Sequence, residues 1–193
     1  RWTEATIHGS WRNRASGNWK VLEEGGRHVM AHTQFAPIGP PMLVTGSRFL
    51  GDYAFETQIR PLGFDPEYGF GLVVRYQNSR CYDFVRITRG QIALLHRYHG
   101  STKLLASRGY AFDVDRYYAV RVECVGSKIT VSVDGQLVLE AQEEEYLLGK
   151  VGFWAQLPAR FADICLSTSR EAQAAAQQRA GDWAAEERAL RES

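Results

Sequence analysis

The residues able to do chemistry concentrate between Tyr68 and Tyr98, a stretch that reads YGFGLVVRYQ, NSR, CYDFVRIT, RG and QIALLHRY. If each apolar run is a strand, its side chains alternate between two faces. Arg75, Tyr82, Phe84, Arg86 and Arg97 then share one face. An aromatic ring offers an apolar platform, and a guanidinium supplies several fixed donors that suit vicinal hydroxyls and carboxylates. His96 beside Arg97, and Trp154, which alternates with Val151 and Phe153, extend the candidate set. The competing reading is that the arginines cover the rings or pair with Glu56 and Asp83. Trp154 is equally well placed as a second platform or as a packing point for the C-terminal helix. Arg75 and Arg86 on strands ~4.8 Å apart would repel once desolvated, which predicts an anionic or densely hydroxylated partner.

The elements that must position these groups follow from the punctuation. Asn78-Ser79-Arg80 and Arg89-Gly90 separate the three runs into an antiparallel meander. Phe70, Leu72, Val74 and Tyr76 fall on one face of the first run, Asp83, Val85 and Ile87 on one face of the second, and Ile92, Leu94 and His96 on one face of the third. Phe70/Leu72/Val74, Val85/Ile87 and Ile92/Leu94 are the expected buried layer, although Leu95 competes with Leu94 for the core. Before the meander, Trp19–Leu22 and His28–His32 read as strands around a tight turn. FAPIGPPM (35–42) reads as loop because proline lacks the ladder donor, and Tyr53–Arg60 as an alternating strand. Trp2, Trp11 and Trp19 are expected to close the end of a sandwich. After the meander, residues 99–112 read as a loop and a short strand. Tyr117–Val125 pairs with Lys128–Asp134, Asp134-Gly135 is a hairpin turn, and 149–156 and 159–167 supply the last strands. Composition changes at Ser169, after which Ala, Glu, Gln and Arg dominate. These are helix formers, and Ser169 suits a helix start.

About a dozen short strands predict an all-β, two-sheet antiparallel jelly-roll sandwich over 1–168, with a helix or linker over 169–193. The chain of 193 residues is long enough for one such core. Its formal net charge of +1 gives no bulk attraction to nucleic acid or an anionic membrane. No run approaches the ~20 apolar residues of a membrane span. Cys81, Cys124 and Cys165 form no CxxC pair, so buried thiols are expected rather than a disulfide or a metal cluster. The chain begins at Arg1, as a module within a longer protein or behind a removed leader would; a neighbouring domain is expected. The compartment is open, with the cell exterior or periplasm favoured.

Catalytic patterns are sparse. GxSxG, P-loop and HExxH motifs are absent. Within the meander the only acid is Asp83, on the core side, and Glu143-Glu144-Glu145 reads as a solvated loop. His96 and His99 lack metal-ligand spacing, so ligand contact or simple exposure is expected of them. Sugar binding is the better reading of the residues than sugar hydrolysis, which needs two facing carboxyl groups.

The order of segments GNWKVLEEGG, LVTGSRFLGDYAFETQIRP, YGFGLVVRYQNSRCYDFVRI, DRYYAVRVECVGSKITVSVDGQLVLEA and GKVGFWAQLPARFADICLS resembles the concanavalin A-like jelly-roll superfamily. More narrowly, it is similar to the laminin-G-like and 3-keto-disaccharide-hydrolase-like domains of glycan-processing bacteria. The resemblance spans roughly residues 10–168 and departs from the laminarinase-like hydrolases, whose E-x-D-x-E strand is absent. It implies a non-catalytic, lectin-like carbohydrate-binding module beside a catalytic domain, with a keto-sugar-type glycoside hydrolase or an interaction module using the C-terminal helix as alternatives. No cofactor is required. A structural calcium is an implication of the resemblance alone, with Asp163, Asp52 and Glu4 the acids nearest the terminal strands.

Overall fold

The computed structural model describes residues 3–5, 19–37, 39 and 41–192. Trp2 and Trp11, and the side chain of Glu4, lie outside the described residues. The strands are β1 (Thr3–Ala5), β2 (Trp19–Glu24), β3 (Arg27–His32), β4 (Met42–Thr45), β5 (Tyr53–Pro61), β6 (Phe70–Asn78) and β7 (Cys81–Thr88), then β8 (Gln91–Tyr98), β9 (Ser101–Gly109), β10 (Tyr118–Val125), β11 (Lys128–Val133), β12 (Gln136–Gln142), β13 (Lys150–Ala155) and β14 (Ala159–Ser167). They form two seven-stranded sheets, ordered β1-β4-β13-β6-β7-β8-β9 and β12-β11-β10-β5-β14-β3-β2. All pairings among the described residues are antiparallel. The architecture is the jelly-roll sandwich expected from the alternating runs.

The core lies between the sheets. Phe70, Leu72, Val74, Val85, Ile87, Ile92 and Leu94 of the first sheet meet Phe55, Ile59, Val120, Val122, Cys124, Ile129 and Val131 of the second. Trp19 closes it against His32, Phe153 and Phe161. Leu94 and not Leu95 takes the core position; Leu95 belongs to a second apolar layer on the outer side of the first sheet. Two segments differ from the sequence reading. Residues 101–109 form one continuous strand along β8, where a loop and a short strand were expected. Met42–Thr45 forms β4 directly after the proline-rich loop.

The helix α1 (Arg170–Glu192) begins where composition predicted. The Ser169 hydroxyl accepts the Ala172 N–H, which satisfies one of the free donors of the first turn. Ala176 is buried, Arg179 donates to the Phe49 carbonyl, and Arg48 stacks on Trp183. Among the described residues no helix is long and apolar enough to cross a membrane. The three thiols are free, with Cys81 and Cys124 buried and Cys165 exposed.

Candidate functional site

The outer face of the meander is not the open platform that alternation suggested. Tyr82, Phe84 and Trp154 are only 3%, 8% and 4% exposed and belong to one apolar layer with Met42, Val44, Val73, Tyr76 and Leu95. Tyr82 packs on Tyr76 and Phe84, and Phe84 meets the Trp154 ring edge-on. Trp154 takes the packing role, though not against the helix. Its indole N–H donates to the Val85 carbonyl at 2.8 Å, crossing β6 above Gly71, where a Cβ would sit 2.0 Å from that same oxygen. Arg86 and Arg97 do lie on this face, half-buried, with their Nε atoms buried and without a hydrogen-bond partner among the described residues. Arg97 also donates to Thr102 Oγ1.

Arg75 is not on that face. The β6–β7 register is irregular between Val74 and Asn78, and Arg75 has φ +49°. That bulge breaks the two-residue period. Tyr76 consequently moves to the outer layer and Arg75 turns inward, wholly buried. Its guanidinium donates to the Glu143 carbonyl at 3.1 Å and to the Gly126 carbonyl, both in the opposite sheet's loops. Its own N–H is received by Tyr53 Oη at 2.8 Å. Arg75 therefore ties the sheets together at one end, and the expected Arg75–Arg86 grip on a ligand does not exist.

The same end holds a polar cluster. Asp83 and His96 are directly opposite on β7 and β8, on the inward face as alternation placed them. His96 Nδ1 donates to Asp83 Oδ1 at 2.7 Å, and Glu143 Oε1 lies 3.7 Å from the same nitrogen. Glu143 departs from its expected place in a solvated loop: it is buried, and its two carboxylate oxygens accept the N–H groups of Glu145 and Tyr146. Burial pushes the Asp83 carboxyl up to about 6, with the His96 hydrogen bond pulling the other way. The hydrogen bond to Asp83 raises the His96 imidazole above its ordinary value, against its partial burial. The pair therefore holds a shared proton tightly. The His96 side chain is 10% exposed, and His96 lines the cleft described next.

Above this floor opens a cleft of about 510 Å³, walled by Tyr98, Ser101, Thr102, Lys103, Leu105, Gln142, Glu144 and Glu145. Tyr98 is 44% exposed and stacks on both His96 and Tyr146. Of the residues expected to contact a ligand, only His96 reaches this cleft. Glu143, Glu144 and Glu145, read as a solvated loop, line it too, and Tyr98, Lys103 and Gln142 were missed. The usable signal was Asp83 and His96 themselves, two ionisable groups at core positions of adjacent strands, which demand each other as partners.

Two of the acids expected for calcium, Asp163 and Asp52, already have partners within the protein. Asp163 sits at a β14 bulge and pairs with Arg27 at 2.7 Å, while Asp52 Oδ1 accepts the Gly126 N–H at 2.8 Å. Neither joins a cluster of three metal-binding side chains among the described residues.

No family model and no curated protein matches the chain. Solved structures do. The carbohydrate-binding module CBM66 from Bacillus subtilis superposes with a TM-score of 0.68 at 16% identity, covering 86% of this chain and 95% of that one. The Caenorhabditis elegans galectin LEC-6 gives 0.52 at 13% identity over 70% and 95%. The alginate lyase AlgAT5 of polysaccharide lyase family 7 gives 0.54 at 13% over 80% and 83%. These similarities show a galectin-like, concanavalin A-like jelly roll and nothing finer.

Proposed function

We propose that the chain is a non-catalytic carbohydrate-binding module whose ligand sits in the cleft between β8, β9 and the segment after β12. One observation carries this reading: the exposed Tyr98 ring stands beside fixed polar groups in a cleft of about 510 Å³, while the rings of the outer face are buried. A sugar's apolar face stacks on a tyrosine, and its hydroxyls need donors and acceptors held in place. Lys103, Gln142, Ser101 and Thr102 offer both kinds. The neighbouring folds include a carbohydrate-binding module and a galectin, which supports the class of ligand. The narrower resemblance to laminin-G-like and 3-keto-disaccharide-hydrolase-like domains supports an accessory role beside a catalytic domain of a longer, exported protein.

The charge of the cleft selects among sugars. Glu144 and Glu145 on its rim outnumber Lys103, so neutral oligosaccharides are favoured over uronates. This reverses the acidic preference expected when Arg75 and Arg86 were placed together. Titrating neutral and uronate-containing oligosaccharides into wild type, Tyr98→Ala and Arg86→Ala tests the site. Tyr98→Ala is expected to weaken neutral-glycan binding at least ~10-fold, as loss of one stacking contact worth ~1.4 kcal/mol would, with Arg86→Ala unchanged. Loss of binding in Arg86→Ala alone would return the site to the outer face.

An enzymatic reading has one observation in its favour, the Asp83–His96 pair with His96 lining the cleft, which is the arrangement of an oriented general base. Asp83 is fully buried and cannot touch a substrate, so a second carboxyl would have to come from the rim. New reducing ends on incubation with the same glycans, lost in His96→Ala, would establish that reading instead.

A further inference from the structure

His96 and Glu143 on the floor of the cleft, and Asp83 buried beside them, bring three donor atoms together. An Asp83 oxygen, a His96 nitrogen and a Glu143 oxygen all lie within 4.8 Å of one another. Nδ1 of His96 stands 2.7 Å from Asp83 Oδ1 and 3.7 Å from Glu143 Oε1. Two ligands of a tetrahedral zinc ion with bonds of ~2.05 Å stand about 3.3 Å apart. The observed separations straddle that value, so small rotations of the side chains suffice to admit an ion. A second observation points the same way. Asp83 is 0% exposed, and its Oδ2 has no hydrogen-bond partner among the described residues. Buried carboxylate oxygens are ordinarily satisfied, and a cation would supply what the protein does not.

We infer that Asp83, His96 and Glu143 form a binding site for a divalent transition-metal cation of the zinc class. The donor set selects the class. One imidazole nitrogen with two carboxylate oxygens suits zinc or cobalt, whereas calcium takes about 6–8 oxygens. The surroundings hold the ligands in place as metal sites require: the N–H groups of Glu145 and Tyr146 fix the Glu143 carboxylate, and the Tyr146 ring packs 4.9 Å from that of His96. Coordination through Nδ1 displaces the proton now shared with Asp83, so metal binding releases a proton, and it leaves the imidazole proton on Nε2. The charges are compatible, because Asp83 and Glu143, with Glu144 and Glu145 on the rim, outweigh the Arg75 guanidinium held on main-chain carbonyls behind them. A fourth position is left open toward the cleft, as in zinc sites that keep a water. The inference does not depend on the cleft's taking a sugar.

The test uses the full chain, stripped by a chelator and titrated calorimetrically with Zn²⁺, with Ca²⁺ as the comparison cation. Wild type is compared with Asp83→Asn, His96→Ala and Glu143→Gln, each first shown to be folded by circular dichroism. Wild type is expected to bind one zinc per chain and Ca²⁺ at least ~100-fold more weakly, the oxygen-poor donor set being the reason. Zinc affinity should fall by more than the ~10-fold that losing even an outer-shell partner costs in Glu143→Gln, and vanish in His96→Ala. Zinc should also raise the melting temperature of wild type and not of His96→Ala. Co²⁺ should give the intense visible bands of a four-coordinate site, absent in the variants. If His96→Ala does not fold, Glu143→Gln and the cobalt spectrum decide. Absence of zinc binding, or equal binding by wild type and every folded variant, overturns the inference. Glycan titrations are read separately, so either proposal can fail while the other stands.

Discussion

A guanidinium that has left water needs partners for its donors, and the two terminal nitrogens of Arg75 find them in main-chain carbonyls of the opposite sheet, while its buried Nε has none among the described residues. Removing it leaves the Glu143 and Gly126 carbonyls short of a donor and opens a cavity between the sheets. Arg75→Ala is therefore expected to cost about 3–5 kcal/mol of unfolding free energy, read from urea denaturation. Arg75→Lys should recover only part of it, since a single ammonium lacks the planar fork that reaches two carbonyls. A loss below ~1 kcal/mol would mean the guanidinium behaves as an exposed one. At this scale the sequence was informative about Asp83 and His96, whose inward alternation is what the structure shows. It was misleading about Arg75, because alternation assumes an unbroken strand. Nothing local marked Glu143 apart from Glu144 and Glu145; its burial comes from Arg75 and the β7–β8 pair, which lie far away along the chain.

The strands of the meander were legible because Val, Ile, Tyr and Phe alternate cleanly between turn residues. The irregularity in β6 was not, because its cause lies in another element. Gly149, at φ +150°, packs against the bulge so closely that a Cβ there would stand 2.3 Å from the Arg75 carbonyl carbon. The bulge and this glycine must be accommodated together. Gly149→Ala should lower stability by more than ~1 kcal/mol and disturb the backbone amides of residues 75–77. Gly90→Ala, where a Cβ meets nothing within 4 Å, is the control and should be near neutral. Matching melting temperatures for the two variants would contradict this account of the bulge. The strand β9 was read short because Gly, Ser and Lys interrupt its apolar residues. Its outer position in the sheet explains that composition, since among the described residues no strand pairs with its far side and most of its side chains face solvent.

For the whole molecule, the fold follows from the pattern of many short strands, and the site follows from the way the strand ends converge. Tyr53, Arg75, Asp83, His96, Gly126 and Glu143 come from different strands and loops, yet contacts link them at one end of the sandwich. That convergence is a property of the closed sandwich and of no single segment. It places the cleft of Tyr98 over a rigid polar floor and leaves the outer sheet face as an apolar layer. The proposed position of the ligand, beside Tyr98, rests on this arrangement. Amide chemical shifts of the ¹⁵N-labelled chain, followed while a neutral oligosaccharide is added, test it most directly. The largest saturable shifts are expected at residues 96–103 and 142–146. Saturable shifts centred on Tyr82, Phe84, Arg86 and Trp154, or none with any oligosaccharide of a broad panel, would contradict it.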